Sequence, residues 1–180
     1  MSNGGNLFET GERKSIPAVL VYARLEDQVL MIHRNASATV TGCEDHHAGR
    51  WNGLGGKCEA NESALEAARR EFLEEAGIDL ESDTFNPLGV LQFPNFKAHK
   101  NEDWIVFVFS VEITLEQKEK IKISNSEGEL HWVPLGELFR LKLWPGDRHF
   151  LPLVADQIPF MGTIWYRGAE VERHWVTPLA

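Results

Sequence analysis

Apolar positions recur with two different periods along the chain, and the change between them predicts its elements. Short runs rich in β-forming residues occur at 16–23 and 28–33, separated by the polar Arg24-Leu25-Glu26-Asp27, and read as a hairpin. The pattern then turns helical. Leu65, Ala68, Phe72 and Ala76 fall on one face, Ser63 and Glu66 form a capping box ahead of them, and Gly77 is a natural stop. Strands return at 85–93 and 104–111, joined by a polar turn over 94–103. Residues 115–121 fit a short exposed helix or a loop, 130–133 a short strand, and 134–141 a helix with Leu135, Leu138 and Phe139 inward. Pro145 fits the first turn of a last long helix whose apolar face is Phe150, Leu151, Val154 and Ile158. Residues 163–166 and 171–176 read as a terminal hairpin. Mixed strands with one helix in the middle and another late predict an α/β sandwich.

Two stretches carry neither period. Residues 1–15 are polar and read as a flexible tail ahead of a single domain at 16–180. Residues 35–50 form a long polar loop, and loops of that length are commonly functional. Within it, Cys43, Glu44, Asp45, His46 and His47 are metal-ligating types with no zinc spacing, so a substrate-facing wall is the expectation rather than a structural metal.

Charge and cysteine content narrow the partners. A formal net charge of −9 disfavours nucleic-acid polymers and anionic membranes, but not small nucleotides brought in with cations. Cys43 and Cys58 make no disulfide framework and no CxxC pair, which points to a reducing, cytoplasmic setting. The first residues carry no signal-peptide pattern, and no run approaches the ~18 apolar residues of a membrane span.

The chemistry concentrates around the middle helix. Glu71 and Glu75, four residues apart, share the edge of its buried face, while Glu74 and Arg70 point outward. Paired carboxylates on a rigid helix suit a hard cation such as Mg²⁺, which takes oxygen ligands and bridges to phosphates; an acidic, solvated face is the alternative. Just upstream, Gly53, Gly55 and Gly56 let backbone approach a neighbour closely, or mark a bulged strand. Gly56, five residues, Glu62, seven residues, then Arg70-Glu71-Phe72-Leu73-Glu74-Glu75-Ala76-Gly77-Ile78 resembles the Nudix box at every fixed position. Phe72, where an aliphatic residue is more usual, is the mild departure.

The resemblance implies the Nudix fold, an α/β/α sandwich with a central mixed sheet. It extends to residues 49–57, 144–147 and 150–153, which are similar to the branch of that family hydrolysing oxidised purine nucleoside triphosphates. It implies Mg²⁺, with Mn²⁺ as a substitute, on Glu71, Glu75 and the carbonyl of Gly55. Glu127 is implied as a third carboxylate or general base, with a plain turn residue as the alternative. Glu74 is implied as a second-metal ligand or water-orienting group. Arg70, counted with the catalytic positions, holds with Glu62 the loop against the helix. Lys57 is implied for phosphate, and Asn52, Trp144 and Asp147 for the base; Gly146 stands where that branch has another acid. The implied reaction is water attack on a triphosphate, giving monophosphate and pyrophosphate, by a monomer acting on a small nucleotide. GDP, a nucleoside-diphosphate sugar or ADP-ribose are the alternative substrates. A non-catalytic binding module is disfavoured because all the box glutamates are present.

Overall fold

In the computed structural model, which describes residues 13–35 and 49–179, strand β1 (Lys14–Leu25) separates two cores. Ala18 and Tyr22 enter one buried cluster, and Val19, Val21 and Ala23 the other, as the two-residue side-chain period of a strand requires. A mixed sheet, eight-stranded among the described residues, surrounds β1. On one side β1 runs parallel to β5 (Glu102–Glu112), from Lys14↔Glu102 to Arg24↔Glu112. Next come β4 (Asn86–Lys97), antiparallel to β5, then β7 (Phe160–Arg167), parallel to β4, and β8 (Glu170–Pro178), antiparallel to β7.

The other side of β1 is where the site is built. β2 (Gln28–Arg34) pairs with β1 only at the hairpin, through Arg24↔Val29 and Leu25↔Gln28. It then diverges to pair with β6 (Gly128–Pro134) and the short β3 (Trp51–Asn52). Residues 53–58 fill the gap that opens. Val21 and Val19 N–H groups donate to the Leu54 and Gly56 carbonyls at 2.7 and 2.8 Å, so the backbone polar groups of β1 are satisfied by a loop instead of a strand.

Helix α1 (Ala64–Ala76) covers one face of the sheet with Ala67, Ala68, Phe72 and Ala76. The other face is covered by 3₁₀ turns at Leu135–Arg140 and Pro145–His149 and by α3 (Leu151–Ala155), which bury Leu138, Phe150, Leu151 and Val154. The expected α/β/α sandwich with a mixed sheet is therefore the observed one. Residues 115–121 resolve as helix α2 (Leu115–Lys120), closed by a Thr114–Gln117 capping box.

The late helices differ from expectation. No long helix follows Pro145: a 3₁₀ turn ends at His149 and α3 restarts at Leu151. A continuous helix would put Pro152 in its interior, where the ring clashes with the preceding turn and an N–H is missing. As the second residue of α3, Pro152 is harmless, and Ile158 falls beyond the helix, 36% exposed. Residues 135–140 likewise form 3₁₀ rather than α-helix. With three residues per turn Leu135 and Leu138 align, whereas Phe139 rotates outward to 40% exposure. Most of the turn expected over 94–103 is absorbed into β4 and β5, and β1 begins two residues before the expected boundary, at Lys14. The residues 43–47 singled out in the long loop, and most of the N-terminal tail, lie outside the described residues. Among the described residues no helix is long and apolar enough to cross a membrane.

Candidate active site

Local hydrogen bonds aim α1 at the glycine loop. Glu66 N–H donates to Ser63 Oγ at 3.2 Å and Ser63 N–H to a Glu66 carboxylate oxygen at 2.8 Å. At the far end Gly77, with φ of 81°, donates its N–H to the Leu73 carbonyl. These caps satisfy orphan groups at both helix ends and hold Glu71 and Glu75 in register with residues 55–57.

Glu75 is the buried acid of the helix wall, 4% exposed. Gly55 N–H donates to its Oε2 at 2.7 Å, while Oε1 has no hydrogen-bond partner among the described residues and lies 3.9 Å from the Arg34 guanidinium. Burial pushes Glu75 up to about 7; Arg34 and the Gly55 N–H oppose that, and the Glu71 and Glu74 charges add to it. Arg34, at the end of β2, also pairs with Glu127, which is half exposed on the turn before β6. Glu71 is held by Arg70 at 2.8 Å, and the same guanidinium bonds Glu62 twice, at 2.8 and 2.9 Å, and the Lys57 carbonyl at 3.0 Å. Arg70 thereby holds Glu62 below the usual carboxylate range and ties the loop to the helix.

The glycines are required by this proximity. Gly55 has φ of 139°, and a Cβ there would run into the Val19 carbonyl. A Cβ on Gly56 would stand 2.5 Å from Glu71 Oε1. Gly55 thus meets Glu75 through its N–H, and its carbonyl accepts no backbone hydrogen bond among the described residues.

No three His, Cys, Asp or Glu side chains close into a metal-ligand cluster among the described residues; arginines occupy the space between the carboxylates. The donor chemistry nevertheless fits a hard cation. Glu71, Glu75, Glu127 and the Gly55 carbonyl all offer oxygen ligands, and Glu75 Oε1 is a buried carboxylate oxygen without a hydrogen bond among the described residues.

A cavity of about 720 Å³ opens over these groups, large enough for a nucleotide-sized ligand. Gly55, Lys57, Arg70, Glu71 and Glu127 line one part of its wall, and Asn52, Trp144 and Asp147 another, so eight sequence-predicted positions share it. Glu75 sits behind Gly55 rather than in the wall. Glu74 is the exception: at 59% side-chain exposure it stays on the outer side of α1, 3.5 Å from Arg70, because 100° per residue turns it away from Glu71 and Glu75. The expectation of a catalytic or ligating Glu74 therefore finds no contact with the cavity.

The second part of the wall is aromatic and carries a buried acid. Asp147, from the 3₁₀ turn, is 6% exposed, and its Oδ2 has no hydrogen-bond partner among the described residues. Burial pushes it up to about 7, against the opposing effects of the Trp144 backbone and the Arg50 charge. Trp144 meets Phe96 and Tyr166 edge-on at 6.3 and 6.1 Å between centroids, with the Arg50 guanidinium 4.3 Å over its ring. Lys57 Nζ lies 5.3 Å over the Trp104 ring, and Asn52 Oδ1 accepts the Gly53 N–H at 2.9 Å.

Arg34, Phe96 and Tyr166 were not among the sequence candidates. Each lies in or beside a stretch read only as strand or turn, and none belongs to a motif. The only signal for Arg34 was its place at the open end of the first hairpin.

Comparison with known proteins places the fold in a family. A family model described as NUDIX domain matches residues 14–154. The chain is 31% identical over 115 residues to a Mus musculus oxidized purine nucleoside triphosphate hydrolase, covering 64% of this chain and 69% of that protein. It is 28% identical over 124 residues to the Danio rerio protein of the same description, covering 69% and 74%. Its fold matches a crystal structure of a MutT protein from Bacillus halodurans with a TM-score of 0.73 at 24% identity, over 89% of this chain and 97% of that one.

Proposed function

The chain belongs to the NUDIX domain family and is a Nudix hydrolase, and from that premise we propose that it is a purine nucleoside triphosphate diphosphatase. Its substrates in this reading include oxidised purines such as 8-oxo-dGTP, and its products are the monophosphate and pyrophosphate. The observation that carries the reading is one cavity joining a carboxylate–arginine wall, suited to a metal-bound phosphate chain, to an aromatic wall with a buried acid, suited to a base. Similarity to the mouse and zebrafish hydrolases supports the same substrate class.

Phosphoryl transfer needs positioning and charge neutralisation more than covalent chemistry. Glu71, Glu75, Glu127 and the Gly55 carbonyl would hold Mg²⁺ or Mn²⁺, which supplies Lewis acidity and an activated water when bound. Lys57 and Arg34 bring positive charge to the same wall. Arg70 acts one step back, fixing Glu71 and the Lys57 carbonyl. Asn52 offers both donor and acceptor to a base edge, Asp147 an acceptor when ionised, and Trp144 an aromatic surface.

A product-resolved panel with Mg²⁺ tests the reading: 8-oxo-dGTP, dGTP, GTP, 2-hydroxy-dATP, GDP and ADP-ribose, with monophosphate and pyrophosphate quantified separately. The expected result is the highest kcat/KM on an oxidised purine triphosphate, with stoichiometric pyrophosphate. A preference for GDP or ADP-ribose would replace the triphosphate reading while leaving the hydrolase assignment in place.

A further inference from the structure

Tyr166 enters the cavity from β7 with its ring held by Phe93, Phe96 and Trp144, at centroid distances of 6.3, 5.7 and 6.1 Å. This packing fixes the hydroxyl directly over the backbone of Gly146. Gly146 N–H donates to the Tyr166 oxygen at 2.8 Å. A Cβ at residue 146 would overlap that oxygen and stand 3.1 Å from Ile164 Cγ2. A side chain at 146 and the hydroxyl of Tyr166 therefore exclude one another, and glycine is what admits the hydroxyl.

The hydrogen bond also decides what the hydroxyl offers. Its oxygen is engaged by the backbone N–H, and its proton is donated to no described residue. Burial, with the nearby Asp147 charge, holds the phenol well above its ordinary pKa, so the proton stays on at any working pH. Near it, Asp147 Oδ2 is buried with no hydrogen-bond partner among the described residues. Buried polar atoms left unpaired are costly, and such atoms in a cavity wall are those a ligand is expected to satisfy.

We infer that Tyr166 is a specificity-determining residue whose hydroxyl donates to an acceptor on the base, beside an N–H that Asp147 accepts. The edge so recognised carries C=O next to N–H, the lactam edge of a 6-oxo or 8-oxo purine. This inference rests on the nucleotide-hydrolase reading above and names the feature of the base that the pocket selects.

The experiment measures pyrophosphate release with Mg²⁺ from three triphosphates: 8-oxo-dGTP, dGTP and purine riboside triphosphate, which has no lactam edge. Wild type is compared with Tyr166→Phe, which keeps the ring, and with Gly146→Ala, which keeps the hydroxyl but displaces it. Tyr166→Phe is expected to lower kcat/KM by roughly tenfold on the preferred lactam substrate, mainly through KM, while purine riboside triphosphate changes less than about twofold. Gly146→Ala is expected to shift the ranking in the same direction. Equal losses on all three substrates would make Tyr166 a packing residue, and no loss on any would remove it from recognition; either overturns the inference. If wild type releases pyrophosphate from none of them, the triphosphatase reading falls first and the inference with it. That outcome is seen before any variant is assayed.

Discussion

Replacing Asp147 with Asn isolates the energetic consequence of burying an acid in the base wall. Burial moves this carboxyl from an ordinary 3.8 to about 7, which at ~1.36 kcal/mol per pK unit is about 4 kcal/mol between its two protonation states. The sign follows from where the protons sit. Between pH 4 and pH 7 the folded chain retains the proton that the unfolded chain has released, so this group's contribution to stability falls as pH rises. Below about pH 4 both states are protonated and folding meets no ionisation penalty; above about pH 7 the whole penalty applies. Asn does not titrate. Its amide, buried at the same place, adds a pH-independent offset of roughly 1–3 kcal/mol if unpaired. The informative quantity is thus the pH dependence of the difference: Asp147→Asn should gain about 3 kcal/mol relative to wild type between pH 5 and pH 8. Urea unfolding of both proteins at pH 5, 6, 7 and 8, without nucleotide and in the presence of a chelator, gives it directly. Stability curves that run parallel across this range would refute a buried Asp147 that keeps its proton to about pH 7.

Three further perturbations probe the rest of the site. Glu71→Gln and Glu75→Gln should each lower metal-dependent turnover by at least ~10²-fold, since even outer-shell partners of metals are worth 10–100-fold. Circular dichroism should stay native, and near-normal rates in both would remove these residues from the metal site. Gly55→Ala should destabilise the fold by about 2 kcal/mol or more, from a φ of 139° and a Cβ meeting the Val19 carbonyl; an unchanged denaturation midpoint would mean the loop can move off β1. Ser63→Ala should reduce stability by about 1 kcal/mol through loss of the α1 cap, with kcat/KM little affected. A large kcat/KM loss without a stability change would argue that the cap positions Glu71 and Glu75 more than it stabilises the helix.

Much of the carboxylate wall is legible in the local sequence. Ser63, Glu66 and Gly77 declare the limits of α1 through hydrogen bonds that reach only three or four residues along the chain. The helical period then places Glu71 and Glu75 together and turns Glu74 out. Strand periodicity located most of the sheet in the same way. Proline was the local signal misjudged: Pro152 ends the single long helix expected after Pro145.

Tertiary structure decided the remainder. Arg34 reaches Glu75 and Glu127 because β2 leaves β1 and pairs with β6, in a register that sets Arg34 opposite Gly128. Nothing within a few residues of Arg34 encodes that register. Tyr166 and Gly146 are twenty residues apart, and the tight fit of hydroxyl to backbone exists only once β7 lies beside the 3₁₀ turn. The depth of Asp147, and hence its proton, is likewise a property of the packed wall. The sequence by itself determined the elements and the residue types at their ends, because short-range hydrogen bonds and side-chain periodicity are written locally. Which charges neutralise one another, and which polar atoms are left for a ligand, was decided by strand pairing across long separations and by exclusion of water on folding.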